Sequence, residues 1–209
     1  MRKLYTILLF TVSLTGNAQG AVQKITRDYF RSDPFTSEFS VFLKHLINDP
    51  TIKDKVVIPR TDTNLFYMHG VYTTHNPFFF KPQKVNISLT EIEIKYVDSL
   101  PDKDTIMLYE LVVISENDPD GLKDVKKEFE KLHQRFKKGF DNSTYKEARS
   151  ATEQTSEWHN YFFKAYAVAP VSILWMKPED SNETALDIII RLKVNYNQAV
   201  LPAPYLPDF

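Results

Sequence analysis

Six apolar residues at every second position, Leu186, Ile188, Ile190, Leu192, Val194 and Tyr196, constrain the fold more than any other stretch. Extended backbone sends successive side chains to opposite faces, so this pattern predicts a strand with one wet and one buried face. Upstream, Thr105 to Ser115 is nearly unbroken in apolar residues, from Ile106 through Ile114, as expected of an interior strand covered on both faces. Before it, Val85, Ile87 and Leu89 alternate, and the apolar parity then slips by one to Ile92, Ile94 and Tyr96. If both halves face one core, that slip near Thr90-Glu91 requires a bulge or bend. Pro101-Asp102 supplies turn chemistry, so these two strands are expected to form an antiparallel hairpin. Leu65 to Thr74 predicts a further strand, and the alternation from Tyr161 to Trp175 a long one that Pro170 bulges or forces to an edge.

Two stretches carry helical spacing instead. Phe35, Phe39, Phe42, Leu43, Leu46 and Ile47 share one face after Asp33-Pro34, with Asp33 expected as the cap and Asn48-Asp49-Pro50 as the stop. Leu122, Val125, Phe129, Leu132 and Phe136 step by three and four between Asp118-Pro119 and Lys137-Lys138-Gly139. Acid first, base and glycine last is the order a helix dipole and helix stop chemistry favour. Residues 141–157 are expected as a polar linker, helical in part, and residues 56–58 as part of a short mixed stretch. With strands and helices not alternating regularly, the expected fold is α+β: a mostly antiparallel sheet of about five or six strands with two main helices packed on one side. Residues 21–209 are expected to form one domain ending in a proline-rich tail, 199–209.

The first twenty residues carry a separate message. Arg2 and Lys3 precede an apolar run from Leu4 to Leu14, and Gly16, Ala18 and Gly20 offer small residues for cleavage after Ala18 or after Gly20. That is the composition of a cleavable signal peptide, predicting a periplasmic or secreted product, most simply bacterial. The run is too short to cross a bilayer, so no transmembrane segment is expected. Cysteine is absent, which excludes a disulfide framework and a lipid-acceptor thiol. The net charge is −1 and becomes more acidic once Arg2 and Lys3 are removed, a poor match to nucleic acid.

Catalytic signatures are sparse. Glu116-Asn-Asp118-Pro-Asp120-Gly121 imitates the opening of a calcium loop, but Lys127 stands where the closing glutamate belongs, and a helix cap explains the acids. The five histidines, His45, His69, His75, His133 and His159, show no metal-ligand spacing, and there is no nucleophile elbow or glycine-rich phosphate loop. No catalytic residue, metal or cofactor is therefore assigned. Glu91 and Glu93 share a strand face with Lys95, the usual pattern of a solvated face, or else of a pair of carboxylates sharing a cleft. Glu110 interrupts an apolar strand face and is expected to meet a cation, either Lys164 or Arg191. Phe66, Tyr67, Tyr72, Phe78, Phe79 and Phe80 form an aromatic group that cannot all point inward from one strand. Together these residues define the expected binding surface. The expected function is non-catalytic binding or envelope assembly through an apolar, aromatic-lined surface, with an unknown protein or apolar ligand as partner. The alternative is a cofactor-free periplasmic hydrolase with Glu110 and His69 as acid and base.

Overall fold

The computed structural model describes residues 20–74, 76–94, 104–116, 119–140, 144–149, 155–161, 169–178 and 181–201. Its elements are α1 (residues 20–29), α2 (Phe39–Asn48), β1 (Ile52–Ile58), β2 (Tyr67–Tyr72), β3 (Lys84–Ile94), β4 (Asp104–Glu116), α3 (Pro119–Gly139), β5 (Thr144–Arg149), β6 (Ser156–Tyr161), β7 (Val171–Met176), β8 (Glu183–Asn195) and β9 (Gln198–Val200). Neighbouring strands follow the order β1-β2-β3-β4-β8-β7-β6-β5, with β9 added to β8, and every pair is antiparallel. The α+β class and the large antiparallel sheet are as expected. The strand count exceeds five or six because β1, β5 and β9 carry no clean alternation and because the predicted strand over 161–175 is two strands. Here β6 ends at Tyr161 and β7 begins at Val171, running back beside it just after Pro170. The expected linker over 141–157 contains β5, paired along its length with β6.

The helices pack on one face of the sheet. That face is built from Met68 and Tyr72 of β2, Val85, Ile87 and Leu89 of β3, Tyr109, Leu111 and Val113 of β4, Ile173 and Trp175 of β7, and Leu186, Ile188, Ile190 and Leu192 of β8, all buried in one core. Helix α1 was not anticipated, yet Val22, Ile25, Tyr29 and Phe30 recur at helical spacing and are all buried. Just past its end the chain lies against the sheet, where the Phe30 ring sits 4.5 Å from that of Tyr109. The Tyr72 hydroxyl donates to the Phe30 carbonyl at 2.7 Å. Helix α3 contacts β4, β6, β7 and β8. No helix among the described residues is long and apolar enough to cross a membrane.

Two local predictions are corrected. Asp33 does not cap α2, which starts at Phe39; its carboxylate instead accepts from the Phe35 amide at 2.9 Å and from Arg27 Nε at 2.7 Å. The first turn of α2 is satisfied from the other end of the chain. The Phe39 amide donates to the Asn197 carbonyl at 2.7 Å and the Ser40 amide to Asn197 Oδ1 at 3.0 Å. Asn197 and Tyr196 both have positive φ, 64° and 47°, as a two-residue turn joining β8 to β9 requires. Second, β3 holds no bulge against β4: the register is continuous from Lys84–Ile114 to Ile94–Asp104. The apolar parity slips because the two halves of β3 serve opposite faces of the sheet. Ile92 lies on the open face beside Ile106, and Glu91 takes the core-side position beside Met107.

Candidate functional site

The parity slip creates the first candidate. Glu91 is 4% exposed at the foot of α2, where a carboxylate needs partners to be tolerated. Its Oε1 accepts from Arg60, which is mostly solvent-exposed, and its Oε2 accepts from the Phe66 amide at 2.8 Å. Above this pair lies a cleft of about 340 Å³ lined by Phe39, Leu43, Arg60, Phe66, Glu91, Thr105, Met107 and Val194. The lining is apolar apart from Thr105 and the Arg60–Glu91 pair, and the volume suits a small molecule. The sequence assigned Glu91 to a solvated face; its signal was the same slip, which left an acid at a core position.

The second candidate is the opposite, open face, on which no helix lies among the described residues. Glu110, Ser88 and His69 are successive cross-strand neighbours in one row over β4, β3 and β2. Ser88 Oγ donates to Glu110 Oε2 at 2.9 Å. Arg191 lies diagonally across on β8, opposite Leu108, and Asp187 lies opposite Val112. Burial pushes the Asp187 carboxyl well above its usual range, and the hydrogen-bonded Glu110 carboxylate pushes it further, against the opposing pull of Arg191. Burial also lowers Arg191, countered by Asp187 and Glu110. The Arg191 guanidinium donates to the Ala169 carbonyl at 3.0 Å and to Ser172 Oγ at 2.7 Å, and Ser172 donates onward to Asn160 Oδ1 at 2.6 Å. Buried side-chain atoms without a hydrogen-bond partner among the described residues are Asn86 Oδ1, Glu128 Oε2, Trp158 Nε1 and Asp187 Oδ1. Three of these four come from one cross-strand row, Asn86–Val112–Asp187–Leu174–Trp158.

The sequence-derived site residues scatter over both faces. Glu110 and Arg191 share the open face, whereas Lys164 lies outside the described residues. Tyr67 is half-buried on that face, opposite Thr90. Tyr72, Phe78 and Phe80 belong to the core, Phe78 stacking 5.5 Å from Tyr29, so they present no contact surface. Phe66 is buried but lines the cleft. Phe79 alone of the phenylalanine run is exposed, at 46%, with Lys127 Nζ 4.5 Å over its ring. Sequence reasoning did not find Asp187, Glu91 or the pairing of His133 with His159, which α3 and β6 bring together at 2.6 Å. Among the described residues, no group of three or more histidines and acids is placed to hold a metal ion. Comparison with protein-family models, with curated proteins and with solved structures finds no match.

Proposed function

We propose that this is an exported, non-catalytic binding protein whose cleft between α2 and the sheet takes a small, mainly apolar ligand. The supporting observation is the cleft itself: Phe39, Leu43, Phe66, Met107 and Val194 supply apolar walls, and Arg60 supplies a charge at the exposed side of the Arg60–Glu91 pair. An apolar body with an anionic or polar end matches that lining. The test is titration with anilinonaphthalene sulfonate, an apolar anion that brightens on leaving water. The native chain is expected to bind it saturably, and Leu43→Trp, which fills the cleft from α2, to weaken binding by about tenfold or more, some 1.4 kcal/mol. Equal binding by a folded Leu43→Trp variant overturns the reading.

A second reading is favoured by the open face. Cofactor-free hydrolysis would use Asp187, held protonated, as the acid and the Glu110 carboxylate as the base, with Ser88 and His69 beside them. Asp187 Oδ1 has no partner within the described chain, as an acid aimed at a substrate would not. Turnover of a nitrophenyl ester or glycoside that disappears in both Asp187→Asn and Glu110→Gln would support this reading over the first. Absence of turnover across both substrate classes would count against it.

A further inference from the structure

His133 and His159 meet in a geometry that limits how many protons they can hold. Glu157, His159 and Tyr161 alternate along β6 and so point to the core side, where α3 lies over them. His133 on α3 descends onto that row, one turn beyond Phe129, whose ring is 5.0 Å from that of His159. The two imidazoles are perpendicular, their centroids 4.0 Å apart, and their Nδ1 atoms face each other at 2.6 Å. Tyr161 Oη sits 2.9 Å from the same His133 nitrogen, and Glu157 Oε1 sits 2.8 Å from His159 Nε2. His159 is 2% exposed and Tyr161 is fully buried, whereas His133 is half-buried at the edge of the helix.

An imidazole nitrogen carries either a hydrogen or a lone pair, and two nitrogens this close accommodate a single hydrogen between them. In the neutral pair His159 gives its Nε2–H to Glu157, and its bare Nδ1 accepts from His133 Nδ1–H. One added proton is also accommodated. His159 then carries hydrogens on both nitrogens, directed at Glu157 and His133, while the His133 hydrogen moves to Nε2 and its Nδ1 becomes the acceptor. A second added proton sets two N–H groups and two positive charges against each other across 2.6 Å. No tautomer of the doubly charged pair avoids this.

We propose that the His133–His159 pair is an acid-released latch holding α3 against β6, folded with at most one positive charge and opened by the second proton. Among the described residues, the charged and titratable groups around it include Glu157 and Tyr161 on β6 and Glu130 on α3, and Lys146 of β5 is the backbone register partner of His159. The β7 residues opposite His159 and Tyr161, Ile173 and Val171, carry no charge. Burial keeps the Tyr161 hydroxyl neutral throughout the range concerned, so it adds no charge beside His133. The acids favour the first proton, and the facing nitrogens refuse the second.

The sign follows from proton counting. Below about pH 6.5 both histidines of the unfolded chain bind a proton. The latched state binds one fewer, so stability falls as the pH drops below this range. The folding equilibrium changes by up to about tenfold per pH unit for the missing proton. The test is urea unfolding of the full chain from pH 7.5 to 5, for the native sequence and for His133→Gln and His159→Gln. Each variant keeps a hydrogen-bonding side chain and leaves the other histidine free to charge, so each is expected to show a slope shallower by about one proton. The background from His45, His69 and His75 is common to all three and cancels. If the variants fail to fold, imidazole nitrogen NMR with amide exchange on the native chain decides. The expected result is that one ring of the pair takes a proton while α3 stays protected, and that the second protonation coincides with loss of α3 protection. Equal slopes in native and variant chains, or two independent titrations in the ordinary histidine range with α3 still protected, overturn the proposal.

Discussion

The phenolic hydroxyl of Tyr29, in α1, donates to Oε1 of Glu128, in α3, across 99 residues of sequence. Glu128 is 0% exposed; its Oε1 also accepts from Lys131 at 3.0 Å, while Oε2 has no hydrogen-bond partner among the described residues. A buried carboxylate with one oxygen already unsatisfied depends heavily on the donors it has. Tyr29→Phe is therefore expected to lower stability by about 1.5–3 kcal/mol, the range for hydrogen bonds to charged groups. Urea unfolding at pH 7 measures it. The same substitution in a Glu128→Leu background should lose far less, since the carboxylate it served is gone.

Gly70 is required by close approach. A Cβ built there falls 2.2 Å from Ile52 Cγ2 and 3.1 Å from the Lys53 carbonyl oxygen. Beside it β1 is irregular, with a register shift between Lys53 and Val56 and Asp54 at a φ of 51°. Gly70→Ala is expected to destabilise by roughly 1–3 kcal/mol through overpacking. Pairing it with Ile52→Val, which removes a methyl from the crowded side chain, should recover part of the loss in thermal unfolding.

Glu91 serves Arg60 and the Phe66 amide together. Glu91→Ala strands that backbone donor, at about 1–3 kcal/mol. Arg60→Ala removes a largely exposed partner, whose ion pair is screened by water, and is expected to cost less. If the arginine variant proves the more damaging of the two by chemical unfolding, the carboxylate is held chiefly by charge and not by the amide.

Asp187 predicts the opposite pH response from the histidine latch. Its folded carboxyl is raised above the unfolded value by burial and by Glu110. Stability from this residue is therefore greatest at or below the ordinary carboxyl range and is lost as pH rises from there through the folded value, up to about tenfold per pH unit. Asp187→Asn removes that dependence, so the variant should gain on the native chain as pH climbs from 4 toward 7. Parallel curves for the two would mean Asp187 is ionised in the fold.

The elements legible in the sequence are those in which one face does one job. Helix α3 keeps a single apolar stripe, and β8 keeps one from Leu186 to Leu192, beyond which Val194 and Tyr196 are exposed. Strand β1 was obscured because it is an edge strand with Val56, Val57 and Ile58 all substantially exposed, so its composition reports no inside or outside. Helix α1 was not legible although Val22, Ile25, Tyr29 and Phe30 carry its spacing, because four apolar positions amid polar residues make too short a stripe to stand out. At the sites, Glu110 and Arg191 could be singled out because each breaks an apolar run. Asp187 occupies a polar slot in a regular alternation, where an acid attracts no notice until the strands beside it show that the slot is dry. Contacts such as His133 with His159 have no one-dimensional trace at all.

Asn197 gives the fold a direction in time. The residue that quiets the open amides at the head of α2 lies in the turn that joins β8 to β9, and α2 forms one wall of the cleft. In a chain that emerges N-terminus first, those two amides do not meet Asn197 until nearly the whole polypeptide is out. A product truncated ahead of Tyr196 would keep most of its sheet and still lack a finished cavity.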